Sequence, residues 1–299
     1  MYKYIALISF ILFSASVSMG QASKDSVISK IDLTSIGRVN QGASYITFPT
    51  DIGNIEPLWF EANLIPSFYI RVSKDSRLIG VLTPQIIIRM YQEESAPVRT
   101  PSYIPQITAY YLLSSKTYVN SFSLFGRIAH HSNGQEGSFY LSNGDINTQS
   151  GSFATNYYEL GFVKTNSYSR FNAVQFFSSS LEVHPKGLSM DELDGIYSMY
   201  RWNNIFSIFK LSSNSDRKRK KASISVKAGV TWMFGDYNNL DGFSSERLNL
   251  SLLFYYHPKF FEDIGLFAQI YHGMDYYNIY FDKQRSMIRL GIMTEKLRF

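Results

Sequence analysis

The stretch RIAHHSNGQEG, Arg127–Gly137, places an imidazole at His130 and an alcohol at Ser132, with a glycine at Gly134 just beyond. On a β-strand, positions i and i+2 share a face. The two groups therefore stand together at the end of the row Phe122, Leu124, Gly126, Ile128, His130, Ser132. A second segment, NYYELGFVK, carries a carboxamide at the head of its own apolar row, Asn156, Tyr158, Leu160, Phe162. If the two segments are successive antiparallel strands, the three polar side chains converge on one face. A histidine between a hydroxyl and an amide suits nucleophilic catalysis: Ser132 attacks, His130 takes its proton, and Asn156 holds the histidine tautomer. The backbone N–H of Gly134 could approach a developing oxyanion with no side chain in the way. The plainer reading is that the same groups sit where hydrocarbon meets water and bond to phosphates or solvent, because a polar group facing hydrocarbon costs a few kcal/mol unless it is bonded. His131 falls in the opposite row, with Arg127 and the serines.

The elements that must position these residues read as strands. The chain has 22 Tyr and 23 Phe, and its apolar residues mostly alternate with polar ones, a pattern that favours β structure. Twelve strands are expected: Ala43–Thr50, Trp59–Arg71, Leu78–Tyr91, Ile104–Leu113, Val119–Ser132, Asn156–Lys164, Arg170–Ser180, Ile196–Leu211, Ala222–Phe234, Leu248–Tyr256, Gly265–Gly273 and Met287–Phe299. Short turns such as Ser73–Arg77 and Thr165–Ser169 alternate with long loops such as Gln92–Tyr103, Asn133–Thr155 and Met274–Arg285. That is the organisation of an all-β, twelve-stranded antiparallel transmembrane barrel of the outer membrane. A soluble β-sandwich would also alternate. The strands are long for a sandwich but suit a tilted bilayer crossing. The pairs Tyr110-Tyr111, Tyr157-Tyr158, Tyr255-Tyr256 and Tyr276-Tyr277 suit girdles at the two lipid interfaces, and the chain ends on Phe299. In the last strand Ile288, Leu290 and Ile292 share one face and Leu297 takes the other, so a bulge is expected near Thr294–Lys296.

Residues 1–20 read as a secretory signal, with Lys3 ahead of an apolar stretch from Ile5 to Phe13 and small residues near Gly20; residues 21–299 form the barrel domain. No segment offers the ~20 continuous apolar residues of a helical span. With no cysteine there is no disulfide and no thiolate chemistry. The net charge of +5 owes much to RKRKK at Arg217–Lys221, which reads as a solvated turn, and no nucleic-acid partner is expected.

With those residues in view, the chain resembles the outer membrane phospholipase A family. The HHSNG residues resemble that family's HxSNG segment, SAPVRTPSYIPQ (Ser95–Gln106) resembles its segment before the fourth strand, and FAQIYHGMDYYNIYFDKQ (Phe267–Gln284) resembles its last hairpin. The resemblance implies a calcium-dependent phospholipase of A1 and A2 specificity, acting on membrane phospholipids through Ser132, His130 and Asn156 on the lipid-facing wall. It further implies calcium ligation by the Gln135 carbonyl and the Ser152 hydroxyl, with Glu136 and Asp145 as candidate loop carboxylates. Activity would belong to a homodimer with Gln85 at its interface. Two other functions fit parts of the pattern. A lipid A deacylase barrel also uses an HxSN segment but orients its histidine with a glutamate, and here Glu159 falls in the inward row. A porin or structural barrel would carry the triplet incidentally, with Arg127, Glu159 and Arg289 pairing across the lumen or lining a pore.

Overall fold

The computed structural model describes residues 31–299 apart from 50–51, 74–75, 115–119, 212–221, 295–296 and 298–299. The signal expected at 1–20, the basic run at Arg217–Lys221 and Phe299 lie outside the described residues. The described strands are β1 (Tyr45–Thr47), β2 (Ile52–Gly53), β3 (Leu58–Leu64), β4 (Phe68–Ile70), β5 (Leu78–Tyr91), β6 (Ser102–Leu112), β7 (Ser121–Ser132), β8 (Ala154–Tyr168), β9 (Ala173–Val183), β10 (Tyr200–Leu211), β11 (Ala222–Phe234), β12 (Leu248–Tyr256), β13 (Ile264–Met274) and β14 (Gln284–Thr294). β1 and β2 both pair with β14, and β3 and β4 both pair with β5, so each couple is one interrupted stave of a closed, twelve-stave antiparallel barrel. The second stave breaks at Pro66, which has no N–H to give a ladder. Closure leaves no sheet edge, as lipid demands of a spanning β structure. Among the described residues no helix is long and apolar enough to cross a membrane.

Exposure alternates as the sequence pattern requires. In β7, Phe122, Leu124 and Ile128 are exposed, while Ser121, Ser123, Phe125, Ala129 and His131 are buried. In β8, Tyr158 and Leu160 are exposed and Glu159 is buried. β14 is described to Thr294 and Leu297 packs inside the barrel, while residues 295–296, where the bulge is expected, lie outside the described residues.

Among the described residues, two elements pack inside the lumen, one toward each end. At the short-turn end sits a helix, α1 (Leu33–Gln41), whose start is capped by the Asp32 carboxylate accepting the Ser35 N–H at 2.8 Å. Its Leu33 and Ile36 pack on Ile79, Tyr110, Phe125 and Phe176, each burial being worth ~1.5–3 kcal/mol. Gln41 Nε2 donates to Thr108 Oγ1 at 2.9 Å. Strand periodicity gives no hint of this element, because LTSIGRVNQ is a short, poor helix former that depends on its surroundings.

At the long-loop end the segment joining β13 and β14 folds inward. Tyr277, Ile279, Tyr280 and Phe281 are buried against Leu58, Tyr91, Phe139, Phe153 and Tyr197. Beneath it lies a charged brace. Glu61 accepts from Arg89 Nε at 2.7 Å, from Arg289 Nη1 at 2.8 Å, and from the hydroxyls of Tyr45 and Tyr276 at 2.6 Å each. Arg89 also grips Asp275 with two bonds of 2.8 Å. These residues come from the first, second, third and last staves and the final loop, so the brace spans the seam where the barrel closes. Between the helix and this inward-folded segment lies a cavity of about 440 Å³, bordered by Gln85, Ser207, Lys227 and Ser251 among others.

Two expectations fail here. Gln85 pairs in register with the buried Ile104, accepts from Gln106 Nε2 and donates to Asn63 Oδ1, both at 3.1 Å, and borders the internal cavity. It faces inward and cannot lie at a lipid-side dimer interface. The row it shares holds Thr83 and Arg89 beside Ile79, Val81 and Ile87, whereas the alternate row, Leu82, Pro84, Ile86, Ile88 and Met90, has no polar side chain, so alternation agrees with the inward face and the interface position came from the resemblance alone. Of the four tyrosine pairs expected at the girdles, three present one ring outward and the fourth presents none. Tyr111, Tyr158 and Tyr256 are exposed, but Tyr110 and Tyr255 are buried, and Tyr276 and Tyr277 both belong to the inward-folded loop.

Candidate active site

The register of β7 on β8 places His130 directly opposite Asn156 and Ser132 opposite Ala154. His130, Ser132 and Asn156 are each half-buried on the outward rows, above the exposed Ile128 and Leu160. His130 Nδ1 is 3.0 Å from Asn156 Oδ1. The Asn156 amide has a definite orientation because its Nδ2 donates to the Leu188 carbonyl at 2.7 Å. Oδ1 therefore meets the imidazole, Nδ1 carries the hydrogen of that bond, and Nε2 keeps its lone pair for a proton. Among the described residues neither Nε2 nor Ser132 Oγ is hydrogen-bonded, and the two are not bonded to each other. Two positions along one strand place Cα atoms about 6.6 Å apart, so side-chain rotation must bring alcohol and base together.

Several parts of the site have no signal in the sequence. The Leu188 carbonyl is presented by a single turn, Lys186–Leu188, that follows β9. That turn is tied to β8 by the Met190 N–H to the Ala154 carbonyl at 3.1 Å, by Thr155 Oγ1 to Ser189 Oγ at 2.8 Å, and by Thr155 Oγ1 to His184 Nδ1 at 3.0 Å. His184 is buried, and its Nε2 meets Glu182 at 2.8 Å. Burial pushes the imidazole below its ordinary value, opposed by that carboxylate. On the other flank Tyr103 pairs in register with Ser132, and its ring lies against Gly134.

Asn133, the residue after Ser132, is buried and acts as a clamp. Its Nδ2 donates to the Gly151 carbonyl at 2.8 Å, while its Oδ1 accepts from Phe153 N at 3.0 Å and Gln135 N at 3.2 Å. The clamp joins the segment leaving β7 to the segment entering β8. Gly134 has φ +65°, in the left-handed region that favours glycine, and among the described residues no acceptor takes its N–H.

Through Asn133 the same loop sets the segment of Gln135 beside that of Ser152. Gly137 pairs with Gly151, and the Ser152 N–H donates to the Gly137 carbonyl at 2.9 Å. Ser152 Oγ has no hydrogen-bond partner among the described residues. A free hydroxyl and a backbone carbonyl are hard oxygen donors of the kind calcium accepts. The candidate carboxylates do not join them: Glu136 is exposed, and Asp145 lies at the exposed loop tip, accepting from Asn143 Nδ2 at 2.7 Å. Among the described residues no group of three His, Cys, Asp or Glu side chains is arranged to hold a metal. Glu159, the carboxylate a deacylase-type relay would need, points inward, where it accepts from Arg127 Nη1 and Ser180 Oγ at 2.6 Å each.

No family model matches the chain, and no curated protein does. Among solved structures, outer membrane phospholipase A from Escherichia coli is similar over 88% of this chain and 98% of that one, with a TM-score of 0.57 at 12% identity. The fold is that of outer membrane phospholipase A. A Salmonella typhi outer membrane phospholipase dimer with bound calcium covers 92% of this chain and 94% of its own, with a TM-score of 0.55 at 11% identity. An active site mutant of the Escherichia coli phospholipase A gives the same TM-score at 12% identity. The segments that resemble phospholipase A in sequence fall at the exit of β7, the entry of β6, and β13 with its following loop. At this identity the likeness carries architecture, and the chemistry rests on the residues themselves.

Proposed function

We propose that this protein is an outer-membrane phospholipase that hydrolyses acyl esters of glycerophospholipids. The observation that supports this most is the His130–Asn156 bond of 3.0 Å on the outward wall, two residues from an unengaged Ser132 hydroxyl. In this reading residues 1–20 direct export and are removed, and the barrel spans the outer membrane with its long loops outside. A phospholipid beside the barrel keeps its acyl chains along the exposed Ile128 and Leu160 and presents its ester at the height of Ser132. His130 Nε2 takes the hydroxyl proton as Oγ attacks the ester carbon. Asn156 holds the ring and stabilises the imidazolium that forms. A neutral orienter suits the place, because a carboxylate there would keep its charge at the lipid boundary. The free Gly134 N–H donates to the oxyanion. His130 then returns its proton to the departing alcohol, and water repeats the sequence to release the fatty acid.

Calcium fits as an ion held by the Gln135 carbonyl and Ser152 Oγ with water completing its shell, where it would supply positive charge beside the ester oxygen. A homodimer formed through the β5 wall would meet along Leu82, Pro84, Ile86, Ile88 and Met90, an outward row with no polar side chain. The helix and the inward-folded loop that occupy the lumen weigh against the porin reading. The test is fatty-acid release from phospholipid and from lipopolysaccharide by the refolded protein, with calcium and with chelator, beside Ser132→Ala. Calcium-dependent release from phospholipid alone, lost in the variant, is expected. Hydrolysis unchanged by the substitution would overturn the assignment.

A further inference from the structure

Among the described residues Lys227 is a cation that faces the lumen with no counter-ion. It lies on the inward row of β11 and borders the cavity between α1 and the loop joining β13 and β14. Its register partners are Ser207 on β10 and Leu253 on β12. Ser225 precedes it on the same face. Ser251 stands opposite Gly229, so close that a Cβ on that glycine would lie 2.7 Å from Ser251 Oγ. Ser207 and Ser225 are buried, and all three serines border the same cavity as the lysine. Among the described residues none of the three hydroxyls has a hydrogen-bond partner.

The carboxylate on the cavity wall, Glu182, is already engaged. It accepts from Arg201 Nη1 at 3.1 Å and from Asn203 Nδ2 at 3.2 Å, and it meets His184 Nε2 at 2.8 Å. Arg201, its register partner, precedes Ser207 on β10 by a span of roughly 20 Å along the strand. An unpaired charge facing a low-dielectric interior is costly, so the ammonium calls for an anion. One lysine matches a single negative charge, and the hydroxyls offer further donors to two anionic oxygens. Around this polar patch the wall is apolar, formed by Ile65, Ile104, Phe209, Leu253 and Met293. A small inorganic anion would leave that wall unused. The cavity's volume of about 440 Å³ lies in the range of small-molecule sites, with room for an alkyl chain.

We propose that the lumen is a binding site for a fatty-acid carboxylate, its head held by Lys227 with Ser207, Ser225 and Ser251, and its chain laid along Phe209 and Leu253. The site is inside the barrel, across the wall from His130, Ser132 and Asn156. It neither uses nor requires the phospholipase chemistry.

The test uses octanoate, which is soluble as a monomer. The protein is refolded in a nonionic detergent with increasing octanoate present, so that entry past the helix is not limiting, and occupancy is read by native mass spectrometry. One bound octanoate at saturation is expected. The concentration for half-saturation should rise about 10- to 100-fold in Lys227→Met, the loss of a charge-assisted hydrogen bond, and stay nearly unchanged in Lys227→Arg. Octan-1-ol, with the same chain and no charge, should not distinguish the unaltered protein from Lys227→Met. The heat-shifted band on gels reports folding, and Lys227→Gln replaces the methionine variant if that band is lost. Absence of bound octanoate, or equal occupancy once the ammonium is removed, would overturn the proposal whatever the protein does to phospholipid.

Discussion

His130 Nδ1 and Asn156 Oδ1 lie 3.0 Å apart at a directly paired position of β7 and β8, so their contact is built into the barrel register. Slippage by one residue would turn one partner into the lumen. The Leu188 carbonyl adds the second constraint, because it leaves the amide one orientation that satisfies both of its ends. Asn156→Ala should therefore leave the folded barrel intact, seen as an unchanged heat-shifted band, and lower kcat for phospholipid by about 10²–10⁴-fold. Full activity in this variant would remove Asn156 from the relay.

Asn133 should act on the site through the loop rather than on substrate. Its replacement by alanine leaves the Gly151 carbonyl and the Phe153 and Gln135 N–H groups without their partner. A buried unsatisfied group costs about 1–3 kcal/mol. Residues 134–152 of Asn133→Ala should be cut faster in limited proteolysis, and half-maximal activity should require more calcium, while the melting temperature of the barrel stays near that of the unaltered protein.

The brace around Glu61 is the opposite case, a stabilising feature remote from the chemistry. Glu61→Ala leaves Arg89 and Arg289 buried without one of their carboxylates, and breaking a buried pair in this way costs about 3–5 kcal/mol. The temperature at which the folded band disappears should fall well below that of the unaltered protein. At temperatures where the variant remains folded, specific activity should be unchanged.

Calcium dependence should be that of a weak site. The donors assigned are one carbonyl and one hydroxyl, with no carboxylate, and sites of low ligand charge bind with Kd on the order of 10⁻⁴–10⁻³ M. Ser152→Ala should raise the calcium concentration needed for activity without changing the heat-shifted band. Titration calorimetry showing micromolar binding would require a carboxylate in the ion's shell.

His184 couples acidity to the turn that carries Leu188. Burial favours its neutral form, so the stability this contributes is fully present above the unfolded value of about 6.5 and declines as pH falls below it. Protonation would disturb the contact with Thr155 Oγ1 and hence the hold on Ser189. Thermal stability should decrease on acidification below about pH 6.5, with a shallower decrease in His184→Gln; identical slopes would exclude this histidine.

Much of the architecture was legible without coordinates. Side-chain alternation is a local property with a period of two, so the extents of β5, β11 and β12, the count of twelve staves, and the outward turn of His130, Ser132 and Asn156 could all be read residue by residue. The face taken by Gln85 was legible in the same way, since it shares its row with Thr83 and Arg89, and only the resemblance put it on the lipid side. α1 was not legible, because its sequence is a poor helix former made stable by the barrel around it. Leu188 and the clamp at Asn133 were out of reach for another reason. Leu188 reaches Asn156 only because the register of β8 on β9 returns its turn to the same rim, and the clamp depends on the conformation of a long loop, which no periodicity encodes.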